Sequence, residues 1–136
     1  MSDFRYVTDQ LSVSPQIGLD DLARAAALGF KMVINNRPDG EEPGQPTSAE
    51  IEAAAKAAGL QVRYQPVRNV SMQDAIEFAR LAAELPKPVL AYCRTGTRCI
   101  TLWTVSALDT RSPEEVLELT EDAGYDMSKV VASLAK

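Results

Sequence analysis

The residues with the strongest chemical signature are Val89-Leu90-Ala91-Tyr92-Cys93-Arg94-Thr95-Gly96-Thr97-Arg98-Cys99-Ile100. A short apolar run ends at a cysteine. A polar loop with a glycine follows, and an arginine stands where a helix can begin. Backbone N–H groups of residues 94 to 98 can turn inward and form a nest for an anion. Gly96 permits a turn that a side chain would resist. Arg98 can clamp an oxyanion in bidentate fashion, and Arg94 adds positive field. That field lowers the pKa of Cys93 and favours thiolate at neutral pH. A thiolate facing an anion site is a nucleophile aimed at the central atom of phosphate, thiosulfate or arsenate. The competing structural reading is a buried cysteine followed by a helix cap. It leaves the paired arginines and threonines around Gly96 without a reason.

The rest of the composition narrows how such a thiolate is activated. The sequence has no histidine and only two cysteines, Cys93 and Cys99. Histidine-ligated zinc, Ser-His-Asp and Cys-His pairs are therefore excluded, and a disulfide framework with them. Cations, backbone dipoles or carboxylates must do the work. No metal cluster or cofactor motif is visible. The chain of 136 residues fits one domain spanning residues 1–136, and 46% apolar with 24% charged residues is ordinary for a globular protein. A net charge of −5 argues against nucleic acid or an acidic membrane as partner. No apolar run is long enough to span a bilayer, and the first residues lack a signal-peptide core, so a cytoplasmic location is expected.

Alternating strands and helices must position the loop. Phe4 to Val7 and Leu11 to Val13 read as strands around a turn at Thr8-Asp9. Gly18 to Leu28 reads as a helix with Leu19, Leu22, Ala26 and Ala27 inward and Gly29 as its stop. Phe30 to Asn35 is a strand, and residues 36–46 form a loop rich in Pro, Gly and Glu. Thr47 to Ala58 is a helix capped by Ser48; Leu60 to Val67 alternates as a strand. Ser71 to Leu85 is a helix with Ala75, Phe78, Ala79 and Ala82 inward. Pro88 to Tyr92 is the strand that runs into Cys93, and a helix follows from about Arg98 to Leu108. Ser112, Pro113 and Glu115 predict a capping box opening a helix that ends near Gly124, and a last helix starts near Met127. This order predicts an α/β domain with a mostly parallel sheet of about four or five strands, flanked by helices. Ligands in such sheets sit at the carboxyl ends of strands. Three loops should meet there: Asn36-Arg37-Pro38-Asp39-Gly40, Arg68-Asn69 and the Cys93 loop.

Cys93-Arg94-Thr95-Gly96-Thr97-Arg98 resembles the active-site loop of cysteine-dependent phosphatases and of rhodaneses. More closely, the chain is similar to a bacterial phosphatase-like family also found fused to beta-lactamase-fold hydrolases. The supporting stretches are residues 33–41, residues 88–93 with the loop that follows, and Ala123-Gly124-Tyr125-Asp126. The resemblance implies a fold like the dual-specificity phosphatases and an activity described both as phosphatase-like and as sulfur transfer. Two departures separate these. The phosphatase signature has one residue more between cysteine and arginine than the four found here, and its arginine is followed by Ser or Thr rather than Cys99. Dual-specificity phosphatases also carry an aspartate acid in the preceding loop, where this chain has Val67-Arg68-Asn69-Val70.

Phosphomonoester hydrolysis gains about 10²–10⁴-fold from a general acid. Sulfur transfer from thiosulfate needs none, because sulfite leaves readily. The short loop and missing acid favour a sulfurtransferase that carries sulfur from a sulfane-sulfur donor as a Cys93 persulfide. The alternative is a phosphatase that turns over a phosphorylated substrate through a Cys93 phosphoenzyme, with Asp39 as possible general acid. A third reading is a non-catalytic redox or anion-binding module using Cys93 and Cys99. Around the nucleophile, Arg37, Arg68 and Arg94 are candidate pocket residues with Arg98. Thr95 and Thr97 can bond thiolate or substrate, or only cap locally. Arg37 has the other option of pairing with Asp39 or Glu41. The Glu41-Glu42 pair reads as a solvated loop, and Cys99 as a small buried filler in preference to a protective disulfide partner of Cys93.

Overall fold

The computed structural model describes residues 3–134. Its strands are β1 (Arg5–Thr8), β2 (Leu11–Ser14), β3 (Met32–Asn35), β4 (Gln61–Tyr64) and β5 (Val89–Tyr92). Its helices are α1 (Asp21–Ala27), α2 (Ser48–Ala57), α3 (Met72–Glu84), α4 (Thr97–Ala107), α5 (Pro113–Asp122) and α6 (Ser128–Leu134). The strands form one sheet in the order β1-β2-β5-β3-β4, with β1 antiparallel to β2 and every other pairing parallel. The mostly parallel α/β architecture expected above is the architecture found.

Period-two alternation divides each central strand between two cores. Met32 and Ile34 of β3, with Val89 and Ala91 of β5, join Phe78, Ile100 and Leu102 on one face. Val33, Leu90 and Tyr92 point the other way, against Leu22, Ala25, Ile51 and Ala55 of α1 and α2. All four residues of β5 are buried, as a strand covered on both faces requires. The strand that runs into Cys93 is the middle one of the sheet, with β2 and β3 on its two sides.

Local differences have local causes. The α2 cap is Thr47, not Ser48: the Thr47 side chain accepts from Glu50 N–H and the Glu50 carboxylate accepts from Thr47 N–H. Ser112 caps α5 by accepting from Glu115 N–H, with Pro113 in the first turn. Leu19 lies before α1 and is 44% exposed, because that helix begins at Asp21. On α3 the third fully buried position is Leu81, while Ala79 and Ala82 are half-buried. Strand β4 stops at Tyr64, since Gln65 and Val67 leave the ladder to donate to the Asn35 and Asn36 carbonyls. That early exit brings the chain of residues 65–68 across the end of β3, beside the Cys93 loop. Among the described residues, no helix is long and apolar enough to cross a membrane.

Candidate active site

The loop after β5 is fastened at both ends to the end of β2. Cys93 N–H donates to the Ser14 carbonyl (3.3 Å), and Gln16 N–H donates to the Arg94 carbonyl (3.2 Å). Gly96 is the N-cap of α4 with φ of 89°, a left-handed conformation that suits glycine. A Cβ at this position would also collide with the Tyr125 hydroxyl. The turn aims Gly96 N–H at Cys93 Sγ, 3.1 Å away. The Tyr125 hydroxyl donates to the Thr95 carbonyl (3.1 Å), and Arg5 lies over its ring at 4.9 Å from the centroid. The Tyr125 stretch singled out by resemblance therefore braces the back of the loop.

Cys93 is fully buried, at the floor of this loop. Its pKa is lowered from an ordinary 9.0 to about 6. The largest influence is a hydrogen bond from the Cys99 thiol; burial opposes it, and backbone N–H groups of Cys99, Thr95 and Arg98 add to it. Cys99 itself is pushed well up, by burial and then by the neighbouring Cys93, so it remains a neutral donor. Its single proton has a second acceptor in Asn36 Oδ1, at 3.2 Å from Cys99 Sγ. A thiolate is the stronger acceptor of the two, so the proton turns to Cys93 when Cys93 ionises. Cys99 thus stands where the phosphatase signature has a hydroxyl, and it supplies the same kind of donor; it is more than a filler.

The loop after β3 is fixed by its asparagines. Asn36 N–H donates to the Tyr92 carbonyl (2.9 Å), and Asn36 Nδ2 donates to Gln65 O and Oε1 (3.0 and 3.1 Å). Asn35 Oδ1 accepts from Arg37 N–H (2.9 Å). The Arg37 side chain is then buried, 1% exposed, and donates to Glu41 Oε1 (3.1 Å), Gln16 Oε1 (2.9 Å) and Glu42 Oε1 (2.8 Å). Arg37 lies inside the wall, paired with the carboxylate of its own loop. Glu41 is not a solvated residue: its side chain is 12% exposed and its Oε1 also accepts from Arg98 Nη2 (3.0 Å). Arg98 Nη1 donates to the Val67 carbonyl (3.2 Å).

Other expected pocket residues are placed less closely. Arg68 is 69% exposed with Nη1 3.9 Å from Glu41 Oε2. Arg94 is exposed and lies close enough to Glu42 to lower its pKa. Thr95 and Thr97 hydroxyls bond each other (2.9 Å), and Thr95 Oγ1 accepts from Thr97 N–H, which is the local capping arrangement. Asp39 is turned away: its two oxygens accept from Ser48 N–H and Ser48 Oγ, both at 2.8 Å, at the start of α2. Sequence reasoning missed Gln16 and Gln65, and placed Asn36 in a converging loop without giving it a role. Polar residues just beyond buried strands were the available signal, since such side chains need partners. Among the described residues, no group of three or more His, Cys, Asp or Glu side chains could hold a metal ion.

Residues 3–109 match the family model described as beta-lactamase hydrolase-like protein, phosphatase-like domain. The chain belongs to that phosphatase-like family. A beta-lactamase hydrolase-like protein of Agrobacterium fabrum is 36% identical over 125 residues, covering 89% of this chain and 29% of the relative. One of Xylella fastidiosa is 34% identical over 134 residues, covering 96% of this chain and 31% of the relative. The chain therefore spans about three-tenths of the length of these curated relatives. A crystal structure of a candidate phosphatase from Neisseria meningitidis superposes with a TM-score of 0.86 at 35% identity, over 96% of this chain and 95% of that one. The kinase associated phosphatase shares the fold, with a TM-score of 0.71 at 14% identity over 98% of this chain and 90% of that one. The domain is thus phosphatase-like with a cysteine-phosphatase fold. These likenesses support the phosphatase alternative over sulfur transfer as the main reading.

Proposed function

We propose that this domain of the phosphatase-like family hydrolyses a phosphorylated substrate through a Cys93 phosphoenzyme. The observation that carries the reading is Cys93 Sγ at the floor of the Gly96 turn, accepting from Gly96 N–H at 3.1 Å, with its pKa lowered to about 6 by Cys99 and the loop amides. At pH 7 about nine-tenths of such a group is thiolate. Its electron pair forms the S–P bond as the bond from phosphorus to the leaving oxygen breaks. The amide N–H groups and Arg98 stabilise the charge that gathers on the phosphoryl oxygens. Water then attacks phosphorus, inorganic phosphate departs and the thiolate returns.

Aryl phosphate hydrolysis measured beside thiosulfate-to-cyanide sulfur transfer, in wild type and Cys93→Ser, tests this. The expected result is release of phosphate by wild type and loss of that activity in Cys93→Ser. Sulfur transfer keeps one specific support: the loop is one residue shorter than the phosphatase signature. Thiocyanate formation without phosphate release would make it the correct reading.

A further inference from the structure

Phosphoenzyme chemistry commonly protonates the departing oxygen, so the carboxyl groups near Cys93 decide which substrates the site can use. Both Asp39 oxygens accept from Ser48 at the start of α2. An Asp74 oxygen accepts from Ser71 N–H in the cap of α3. Glu42 is half-exposed and paired with Arg37, which lowers its pKa. Glu41 is shared by Arg37 and Arg98, at 3.1 and 3.0 Å. Burial alone would raise its pKa, but hydrogen bonds and charge from the two arginines outweigh it and hold the carboxyl below its usual value. An ionised carboxylate has no proton to give.

We infer that Glu41 is a positioning residue for Arg98, and that the site takes phosphoryl compounds whose leaving group departs as a stable anion: phosphoanhydrides, acyl phosphates and aryl phosphates of acidic phenols, rather than alkyl phosphates such as phosphoserine. The inference rests on the phosphatase reading and narrows it. Val67 O and Glu41 Oε1 hold one N–H from each terminal nitrogen of Arg98, which fixes the plane of the guanidinium. Its remaining N–H donors are free to meet an oxyanion. In the chemical step the thiolate pair makes the S–P bond, and the electron pair of the broken P–O bond leaves on a phosphate, carboxylate or phenolate. No proton moves.

The test is kcat/KM, which reports steps through phosphoenzyme formation, across aryl phosphates from acidic nitrophenols to phenol, with acetyl phosphate and phosphoserine added. Wild type, Glu41→Gln and Glu41→Asp are compared. The expected wild-type result is a steep fall with leaving-group basicity and phosphoserine slower by about 10²-fold or more. Glu41→Gln should lower every substrate by a similar factor, up to about 10²-fold, without changing the slope; Glu41→Asp should recover part of it. A shallow wild-type slope that becomes steep in Glu41→Gln would make Glu41 the acid and overturn the inference. So would a shallow slope in all three proteins. Either result leaves phosphoryl transfer to Cys93 intact, so the phosphatase reading would survive. Absence of any phosphoryl transfer to Cys93 would overturn both.

Discussion

Two loops bring arginines to the end of the central strands, and they use that charge differently. In the β3 loop, Arg37 is buried, its charge is met by Glu41 and Glu42, and Gln16 accepts a further N–H. In the β5 loop, charge is concentrated on one atom: amide N–H groups and the Cys99 thiol converge on Cys93 Sγ. Glu41 joins the two regions: its Oε1 accepts from both Arg37 Nε and Arg98 Nη2. An arginine at these strand ends is a buried structural pillar in one loop; in the other, under the proposed function, it is the anion clamp. The partner each finds in the fold decides, not the residue type.

Substitutions can break this contrast. The largest effect is expected for Arg98→Ala: loss of an oxyanion donor should lower kcat/KM for an aryl phosphate by about 10²–10³-fold. Thermal stability should fall less than in Arg37→Met, because the Arg98 side chain is 22% exposed and Glu41 keeps Arg37 as a partner. Arg37→Met should show the opposite balance. Removing the buried cation leaves Glu41 and Glu42 less compensated, and a loss of about 3 kcal/mol is expected in denaturant titration.

A smaller effect sharpens the electrostatics of the β5 loop. Cys99→Ala removes the largest influence lowering the Cys93 pKa, so the ultraviolet absorbance of the thiolate should appear at higher pH than about 6. Cys99→Ser keeps a donor and should shift it less. The same titration links to stability. Cys93 is an acid whose folded pKa lies below its ordinary 9.0, so its thiolate favours the folded state in full above about pH 9. That contribution disappears as pH falls to about 6. Denaturation of wild type against Cys93→Ala across this range should show the two converging at the acid end. The smallest effect belongs to exposed Arg94: Arg94→Ala should raise KM a few-fold, less at high salt, with stability within about 0.5 kcal/mol of wild type.

The architecture was legible because its signals are local. Short apolar runs at Met32–Asn35 and Val89–Tyr92, and stops at Gly29, Gly59 and Gly124, need no knowledge of distant partners. Cys93, Gly96 and Arg98 were legible for a related reason: a turn and a helix start are short-range features. Charged side chains in a long loop were harder. Asp39 could face Cys93 or the start of α2, and the chain from Pro38 to Thr47 settles it by bringing Ser48 to Asp39. Glu41 and Glu42 read as solvated because their arginine partners are a buried neighbour and a residue 57 positions away. Gln16 sits after β2, a strand whose pairing with β5 is a long-range fact.

The most direct test is acid-quenched mass spectrometry of wild type mixed with an aryl phosphate, followed by mapping of the modified peptide. One phosphoryl group on Cys93, absent from Cys93→Ser and decaying as phosphate is released, is the predicted result. An unmodified Cys93 during turnover, or a sulfur adduct from thiosulfate with no phosphoryl adduct under any condition, would contradict it.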